Sequence, residues 1–377
     1  MFAVRSLFLL ILGLVPLTAC LRLDPSVDSR EAAANLISAL ASLSGEEYYI
    51  FLNHSSTPPR TILRFRNGSL DKIQYSGGPA TIKKARILNG TIFAIDGTTN
   101  DRIYISKDQG NNWTVRDVTG ITSDVFTHMQ VCGDRLFLTK GLLATDPSAY
   151  TPGYFTDSSA DTFTEWRGVG PSLESIPGAL ACSNDRLIAA IDFTPYVISA
   201  PASDPTNWTS AGTYNPSREP LAMAATETTI MIAHDGDPQR GLGYSTDGGS
   251  TFNANGNLPV AEDYLSSTNG EGPLAAFNEF YLATVDQTGK RCYFYRFSTG
   301  SENPASLQPA SVDCGPYSDV AITSIVAGPS GIIAAYKANS DSATGLLYST
   351  DGANFRALDL SDVWNGPGHI SSIQRVR

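Results

Sequence analysis

The stretch Ser106–Trp113, "SKDQGNNW", lies between two runs of residues that predict β-strands. An aspartate at the start of a turn accepts hydrogen bonds from backbone N–H groups two or three residues later, and a glycine supplies the positive φ that a tight reversal needs. A tryptophan that closes the turn must bury a large ring against a neighbouring layer. The stretch therefore predicts a clipped hairpin corner that is attached to another part of the fold.

The same spacing recurs at Ser245–Phe252, "STDGGSTF", and in a form shorter by one residue at Ser349–Phe355. We interpret two further segments, ending at Trp166 and Trp208, as decayed copies. We expect Trp113 and Phe252 to be largely buried, and we predict a structural role for every corner residue: Ser106, Asp108, Gly110, Trp113, Asp161, Trp166, Asp204, Trp208, Ser245, Asp247, Gly249, Phe252, Ser349, Asp351 and Phe355.

These corners resemble the Asp-box (BNR) repeat of the sialidase-like β-propeller superfamily. In that family the box lies on the hairpin between the third and fourth strands of a blade, on the rim opposite the usual active-site face. The resemblance therefore implies a fold and says little about activity. The closing aromatic residues are separated by 53, 42, 44 and 103 residues, and a period in the forties is the length of a four-stranded blade.

We predict an all-β fold, a single β-propeller of four-stranded antiparallel blades. The roughly 330 residues after position 46 correspond to seven periods of this length, with six blades as the alternative. The first blade, beginning at "EYYIFLN", lacks a first strand, whereas the C-terminal "HISSIQRV" resembles a first strand without partners. We expect these two segments to pair and to close the ring without an open sheet edge.

The N-terminal segment has the pattern of an export signal. Arg5 is followed by the apolar run "SLFLLILGLVP" and then by "LTAC", which resembles a bacterial lipobox ending at Cys20. We predict a signal peptide over 1–19, a lipidated Cys20 with a tether or short helix over 20–46, and the propeller over 47–377. The alternative is an ordinary secretory signal. Leu21 and Arg22 offer no retention aspartate, which favours the outer membrane or the cell surface.

The composition excludes some partners. The 26 basic and 37 acidic residues give a net charge of −11, which argues against binding to nucleic acid or to anionic lipid, so that membrane attachment is expected through the lipid anchor alone. The four histidines are scattered without metal-ligand spacing. We expect a monomer with no cofactor and no metal.

Propeller ligand sites form where the loops between second and third strands surround the central channel. These loops are rich in aspartate and also carry arginine, which suits sugars, carboxylates or a cation. Aspartate and glycine are equally ordinary turn residues, so a purely structural role stays open. The candidate ligand-binding residues are Arg60, Asp96, Arg102, Asp192, Asp235, Asp237 and Arg240. No catalytic residue can be assigned.

The functional prediction is a binding module for a protein or glycan partner. The alternative is a sialidase-type exo-glycosidase, since the superfamily's sialidases use three arginines, a tyrosine–glutamate pair and an aspartate. The Arg-Ile-Pro signature of those enzymes is absent; "PPRTILRF", with Arg60, is the nearest match. A second alternative is a periplasmic assembly factor resembling the propeller factors that help to build photosystems.

Four cysteines remain after Cys20, in an exported chain where disulfides are expected. Cys292 and Cys314 flank a hairpin around Gly300 to Pro304, and antiparallel pairing would place them nearly opposite each other. We predict a disulfide between these two residues. The competing pair, Cys132 with Cys182, requires the inner strands of adjacent blades to approach unusually closely.

Overall fold

The computed structural model divides the chain at residue 46, and the predicted blades lie in the unit from Glu46 to Arg377. The segment 1–45, with the predicted signal peptide, Cys20 and nearly all of the tether, lies outside the described residues. The structure describes residues 46–53, 60–97, 102–118, 125–141, 153–166, 177–191, 196–213, 219–235, 241–257, 262–263, 272–286, 291–314, 320–338, 343–364, 366 and 368–376.

Seven antiparallel sheets form the blades of a β-propeller, as the sequence predicted. In each blade the strands run from the channel outward in chain order, except that the last strand of the chain is innermost in blade 1. The strands are, for blade 1, β1 (Glu47–Asn53), β2 (Arg60–Arg66), β3 (Ser69–Tyr75) and β29 (His369–Val376); blade 2, β4 (Ile82–Leu88), β5 (Thr91–Asp96), β6 (Arg102–Ser106) and β7 (Thr114–Asp117); blade 3, β8 (Val125–Cys132), β9 (Arg135–Gly141), β10 (Gly153–Asp157) and β11 (Thr164–Trp166); blade 4, β12 (Pro177–Ser183), β13 (Arg186–Ile191), β14 (Tyr196–Pro201) and β15 (Thr209–Thr213); blade 5, β16 (Glu219–Ala225), β17 (Ile230–Asp235), β18 (Gly241–Ser245) and β19 (Asn253–Asn257); blade 6, β20 (Glu262–Asp263), β21 (Leu274–Ala276), β22 (Phe280–Asp286), β23 (Arg291–Phe297) and β24 (Ala310–Asp313); and blade 7, β25 (Ala321–Gly328), β26 (Gly331–Ala338), β27 (Ala343–Ser349) and β28 (Arg356–Leu358).

The ring closes through pairing of the two chain ends. β29 pairs antiparallel with β1, with Val376 opposite Glu47 and His369 opposite Asn53. The carboxylate of Glu46 accepts a hydrogen bond from Ser330 N in blade 7 at 2.9 Å and lies 3.5 Å from Arg375 Nη1. The predicted closure is therefore confirmed, and the seam is tied to the last blade as well as to the first.

The core lies between the blades, which explains the nearly continuous apolar inner strands. All six residues of β5 are buried, whereas all four residues of the outer strand β7 are exposed. The innermost strands of successive blades contact each other around the whole ring, from β29 through β4 and back through β25. Strands buried on both faces do not alternate between polar and apolar residues.

The Ser–Asp–Gly corners, which are Ser106–Trp113, Ser245–Phe252 and Ser349–Phe355, share one hydrogen-bond network. In the first, Ser106 Oγ donates to Asp108 Oδ1 and accepts from Gly110 N, both at 2.8 Å. Asp108 also accepts from the backbone N–H of Asn112 at 2.8 Å and from its side chain at 2.6 Å. The corresponding bonds in the other two corners are 2.7–2.9 Å long. Each aspartate carboxylate thus accepts hydrogen bonds from donors within its own turn.

Each corner also packs against the preceding blade. This contact explains why the corner contains a glycine and an aromatic residue. Gly110 has φ of +92°, and a Cβ there would lie 2.7 Å from Ile62 Cδ1 of blade 1. Trp113 donates through Nε1 to Gly110 O at 2.9 Å, and its ring centroid lies 5.7 Å from that of Tyr75 in blade 1. Trp113 and Phe252 are partly buried rather than largely buried, because they cover the outer edge of a blade.

The interpretation of the blade 3 copy needs a correction of register. Thr156 lies opposite Leu136 as Ser106 lies opposite Ile92, so this corner begins at Thr156. Ala160 takes the left-handed conformation with φ of +56°, in place of the glycine. Neither Asp161 nor Trp166, the residues assigned from the sequence, belongs to the network.

These two residues have other positions. Asp161 is exposed, and the bond shown at this residue is from its backbone N–H to Ser159 Oγ. Trp166 ends β11 and donates to Tyr154 O at 3.2 Å. Its ring is fully buried, and its centroid lies 5.0 Å from that of Trp208 in blade 4, so Trp166 joins two blades rather than closing a turn.

The corners of blades 4 and 6 use other means. In blade 4, Asp204 accepts from the hydroxyl of Thr206 at 2.6 Å and has no serine partner in the described network. In blade 6, where the sequence indicated no aspartate corner, the carboxylate of Glu302 reaches back to Ser298 N at 2.9 Å and Thr299 N at 3.1 Å. A carboxylate therefore closes this corner too, from a different place in the chain.

Both cysteine pairs are bridged. Cys292 and Cys314 form a disulfide with their Cα atoms 5.8 Å apart. Cys292 lies opposite Val312, so Cys314 is two residues past the directly opposed position and the bridge spans a diagonal. Cys132 and Cys182 also form a disulfide, with Cα atoms 5.2 Å apart, between the inner strands β8 and β12. The approach that the sequence argument considered unusually close is therefore made between blades 3 and 4.

Candidate functional site

A ring of β-bulges surrounds one end of the central channel. In six blades the innermost strand contains one extra residue, near its start, relative to the second strand. Bulges bend a strand and change the direction of a side chain, and they are common next to binding sites. We call these residues the bulge ring: Lys83, Thr127, Gly178, Leu221, Thr323 and Ser371.

Blade 6 interrupts its inner strand at the same height. β20 pairs with the end of β22, where Asp263 lies opposite Val285, and β21 pairs with its start, where Leu274 lies opposite Leu282. The break between the pairings of β20 and β21 thus falls at the position where the other blades carry one extra residue. Each of the seven inner strands departs from regular pairing at this level.

Lys83 is the charged member of the bulge ring. Ile82 and Ala85 of β4 both pack in the core between blades 1 and 2, although they are three residues apart. A regular strand would send them to opposite faces, and the extra residue restores the match. The consecutive residues Lys83 and Lys84 consequently lie on the side of β4 that does not face blade 1. Arg86 follows on the same side, since Ala85 and Ile87 face blade 1.

This side of β4 is strongly cationic. Burial lowers the pKa of Lys83, and no carboxylate in the described part of the chain counters that effect. Burial also lowers the pKa of His128 on β8 well below its usual range, and the charges of Lys84, Arg86 and Lys83 lower it further. His128 is therefore neutral at neutral pH, and its Nδ1 lies 3.1 Å from Thr127 Oγ1. Four basic side chains thus influence one another at this wall of the channel.

Three of the candidate residues from the loops have contacts within the fold. Asp96 is 3% exposed and accepts from Thr81 Oγ1 at 2.8 Å and from Ala80 N at 3.2 Å, which ties the end of β5 to the segment before β4. Arg60 donates to Gly78 O at 2.5 Å. Arg102 forms an exposed ion pair with Asp117 at 3.1 Å. The structure thus gives these side chains partners within the fold, and their ligand-binding role stays a prediction.

The other four candidates are not brought into a site by the described residues. Asp192, Asp237 and Arg240 lie outside them, and Asp235 is described only as the last backbone position of β17. Within the described ranges there is no group of three or more His, Cys, Asp or Glu residues placed to hold a metal ion. A search of the same residues finds no helix with the length and apolar character needed to span a membrane.

Sequence reasoning looked for the site in the loops and overlooked β4. The signal was present, because the inner strands of the other blades read as runs such as "ALACS" and "AITSIVA", whereas β4 reads "IKKARIL". Three cations in a strand that should be apolar, in a chain of net charge −11, are the exception that marks this wall. A cationic, partly desolvated wall favours anionic ligands.

The comparisons with known proteins support the β-propeller fold and no specific function. No family model and no curated protein matches this chain. Among solved structures it is similar to YCF48 bound to D1 peptide, with a TM-score of 0.51, 12% identity and coverage of 77% of this chain and 90% of that one. A protein from Lactobacillus plantarum has a TM-score of 0.57 and 11% identity, over 88% of this chain and 100% of its own. A quinonprotein alcohol dehydrogenase-like protein from Bacteroides thetaiotaomicron has a TM-score of 0.52 and 11% identity, over 87% and 91%.

Proposed function

We propose that this chain is an exported, lipid-anchored β-propeller that acts as a binding module, with a polypeptide as its partner. The cationic wall of β4 is the single observation that carries the proposal. The other polar groups considered, in the Ser–Asp–Gly corners and at Asp96, have their partners within the fold. Lys83 lies in the channel wall with no carboxylate paired to it in the described part of the chain.

A polypeptide is favoured over a glycan because a solved propeller of similar fold, YCF48, is bound to a peptide. The likeness is one of fold, so it supports the class of partner and not its identity. An assembly-factor role, in which the bound polypeptide belongs to a complex under construction, is the special case that this neighbour favours. The corners support descent from the sialidase-like superfamily in the same limited sense.

The sialidase alternative loses support at the residues that would perform the chemistry. A sialidase requires arginines available to clamp a carboxylate, whereas Arg60 and Arg102 have structural partners. Two tyrosine–glutamate pairs do exist, because Tyr281 donates to Glu279 Oε2 at 3.0 Å and Tyr48 donates to Glu46 Oε2 at 3.1 Å. Both lie at the opposite end of the blades from the bulge ring, and each glutamate is also paired with an arginine, Arg296 or Arg375. We therefore rank binding above hydrolysis.

Three measurements on the exported protein test this proposal. Cross-linking on intact cells should trap a polypeptide partner, and the soluble propeller should fail to hydrolyse a fluorogenic sialoside. Replacement of Cys20 by alanine should move the protein from the detergent phase to the aqueous phase, since a lipid anchor cannot form. Sialoside turnover, or a glycan partner without a polypeptide one, would contradict the assignment.

A further inference from the structure

We propose that the cationic wall of β4 is a binding site for a segment of acidic polypeptide, with Lys83 as its central contact. This inference rests on the proposed binding function and adds the chemistry of the ligand. It starts from the geometry of β4 rather than from the loops. The bulge at Lys83 converts an alternating strand into a row of cations on one side.

The first step concerns the state of Lys83. Its side chain is partly buried, so that a charged amine there has lost part of its hydration. Across the strand pair, Asp96 lies opposite Ile82 and accepts hydrogen bonds from Thr81 and Ala80. No carboxylate among the described residues is paired with Lys83, so an incoming carboxylate would supply a countercharge. A charge-assisted hydrogen bond to lysine is among the stronger polar contacts.

The second step concerns the charge around Lys83. Lys84 and Arg86 follow Lys83 along β4, in which each residue advances by about 3.3 Å. Lys84 is 6% exposed, and both side chains have contacts within the protein, so they add positive potential rather than direct contacts to a ligand. Lysine binds as a point charge with three donors, so Lys83 can contact a carboxylate in many orientations. Several carboxylates along one extended peptide are attracted by this positive potential more strongly than a single anion is.

The third step concerns the neighbours on blade 3. Thr127, the bulge residue of β8, exchanges hydrogen bonds with Thr139 Oγ1 at 3.0 Å and His128 Nδ1 at 3.1 Å. Because His128 is neutral, β8 adds hydroxyl and imidazole dipoles, and its sequence contains no lysine, arginine, aspartate or glutamate. Of these two inner strands, β4 therefore carries the positive charge, and Lys83 lies at its start.

The test measures binding of a fluorescent hexaglutamate peptide by anisotropy, with hexaglutamine as the neutral control and a galacturonate hexamer as the acidic glycan. The full propeller should bind hexaglutamate, more weakly at high salt, and should not bind hexaglutamine. Lys83→Gln should weaken the affinity at least about tenfold, the effect of losing one charge-assisted contact. Lys83→Arg, which keeps the charge, should retain binding.

Lys72→Gln is the matched control, because Lys72 is exposed on the outer strand β3 and its replacement changes net charge by the same amount. If Lys83→Gln and Lys72→Gln lost the same amount of affinity for hexaglutamate, the proposed site would be overturned. The binding would then reflect the net charge of the protein rather than a contact with Lys83. Lys83-dependent binding of galacturonate alone would overturn the peptide assignment. Failure of hexaglutamate to bind would overturn the site as well, while a polypeptide trapped by cross-linking would still uphold the binding function. Melting temperatures of the variants show that each one folds.

Discussion

The Ser–Asp–Gly corners and the wall of β4 use charged residues in opposite ways. In the corner of blade 2, Asp108 is surrounded by donors from its own turn, and its pKa is lowered because the hydrogen bonds of Asn112 and Ser106 outweigh the effect of burial. In the wall, Lys83 is partly buried with no carboxylate partner among the described residues, and burial lowers its pKa. A charge whose partners are all local stabilises the fold, whereas an unmatched charge in the channel is available for a ligand. The partners of a charged residue, rather than its charge, therefore distinguish the structural aspartates from the proposed binding lysine.

Loss of the seam should have the largest effect, because both regions depend on a closed ring. Deletion of residues 370–377 removes most of β29 and exposes the edge of β1 and the inner faces of blades 2 and 7. We expect loss of cooperative unfolding or a fall of more than 10 °C in melting temperature, measured by calorimetry. A deletion variant that melts with the full-length protein would contradict the closure.

The two disulfides should differ in their contribution to stability. In the chain-entropy model the 50-residue separation of Cys132 and Cys182 corresponds to about 4 kcal/mol, and the 22-residue separation of Cys292 and Cys314 to about 3 kcal/mol. Denaturant unfolding of the two double-serine variants tests this order. A larger loss of unfolding free energy in the Cys292 and Cys314 variant would contradict this order. The disulfide within blade 6 would then stabilise the fold more than the one between blades 3 and 4.

Replacement of a corner aspartate should cost stability without affecting binding. Asp247→Ala leaves the backbone N–H of Thr251 and the hydroxyl of Ser245 without their acceptor, a loss of about 1–2 kcal/mol. Asp161→Ala is the matched control, since that carboxylate lies outside the network of its corner, and it should change stability by less than about 0.5 kcal/mol. Equal effects would refute the corrected register of blade 3.

Acid should weaken the corners in a defined range. The pKa values of Asp108, Asp247 and Asp351 are lowered, because their hydrogen bonds outweigh the opposing effect of burial. A carboxyl whose pKa is lower in the folded state stabilises the fold above its unfolded value of about 4 and loses that contribution as the pH falls further. The melting temperature should therefore decrease as the pH is lowered from about 4, and this decrease should be less steep in Asp247→Ala. Identical slopes would contradict this origin.

The fold could be predicted from the sequence because the corner motifs and their repeat length are visible in the sequence itself. The spacing of Ser106, Asp108, Gly110 and Trp113 is fixed by one turn, and its recurrence predicts the blades. The blade 3 corner was misread because Ala160 adopts the left-handed conformation without being glycine. The bulge ring has no comparable signature, since one extra residue in a strand becomes visible only when its partner strand is known. For the same reason the sequence did not indicate that Asp96 accepts hydrogen bonds from Thr81 and Ala80, which precede the paired strand β4.

The most direct test of the account measures stability and hexaglutamate affinity in the same two variants. Asp247→Ala should lower the melting temperature and leave the dissociation constant unchanged, because its carboxylate serves its own turn. Lys83→Gln should leave the melting temperature within about 2 °C of the wild type and weaken binding at least about tenfold. If Lys83→Gln lost stability and kept its affinity, or if Asp247→Ala lost affinity while folded, the division between structural corners and a binding wall would be contradicted.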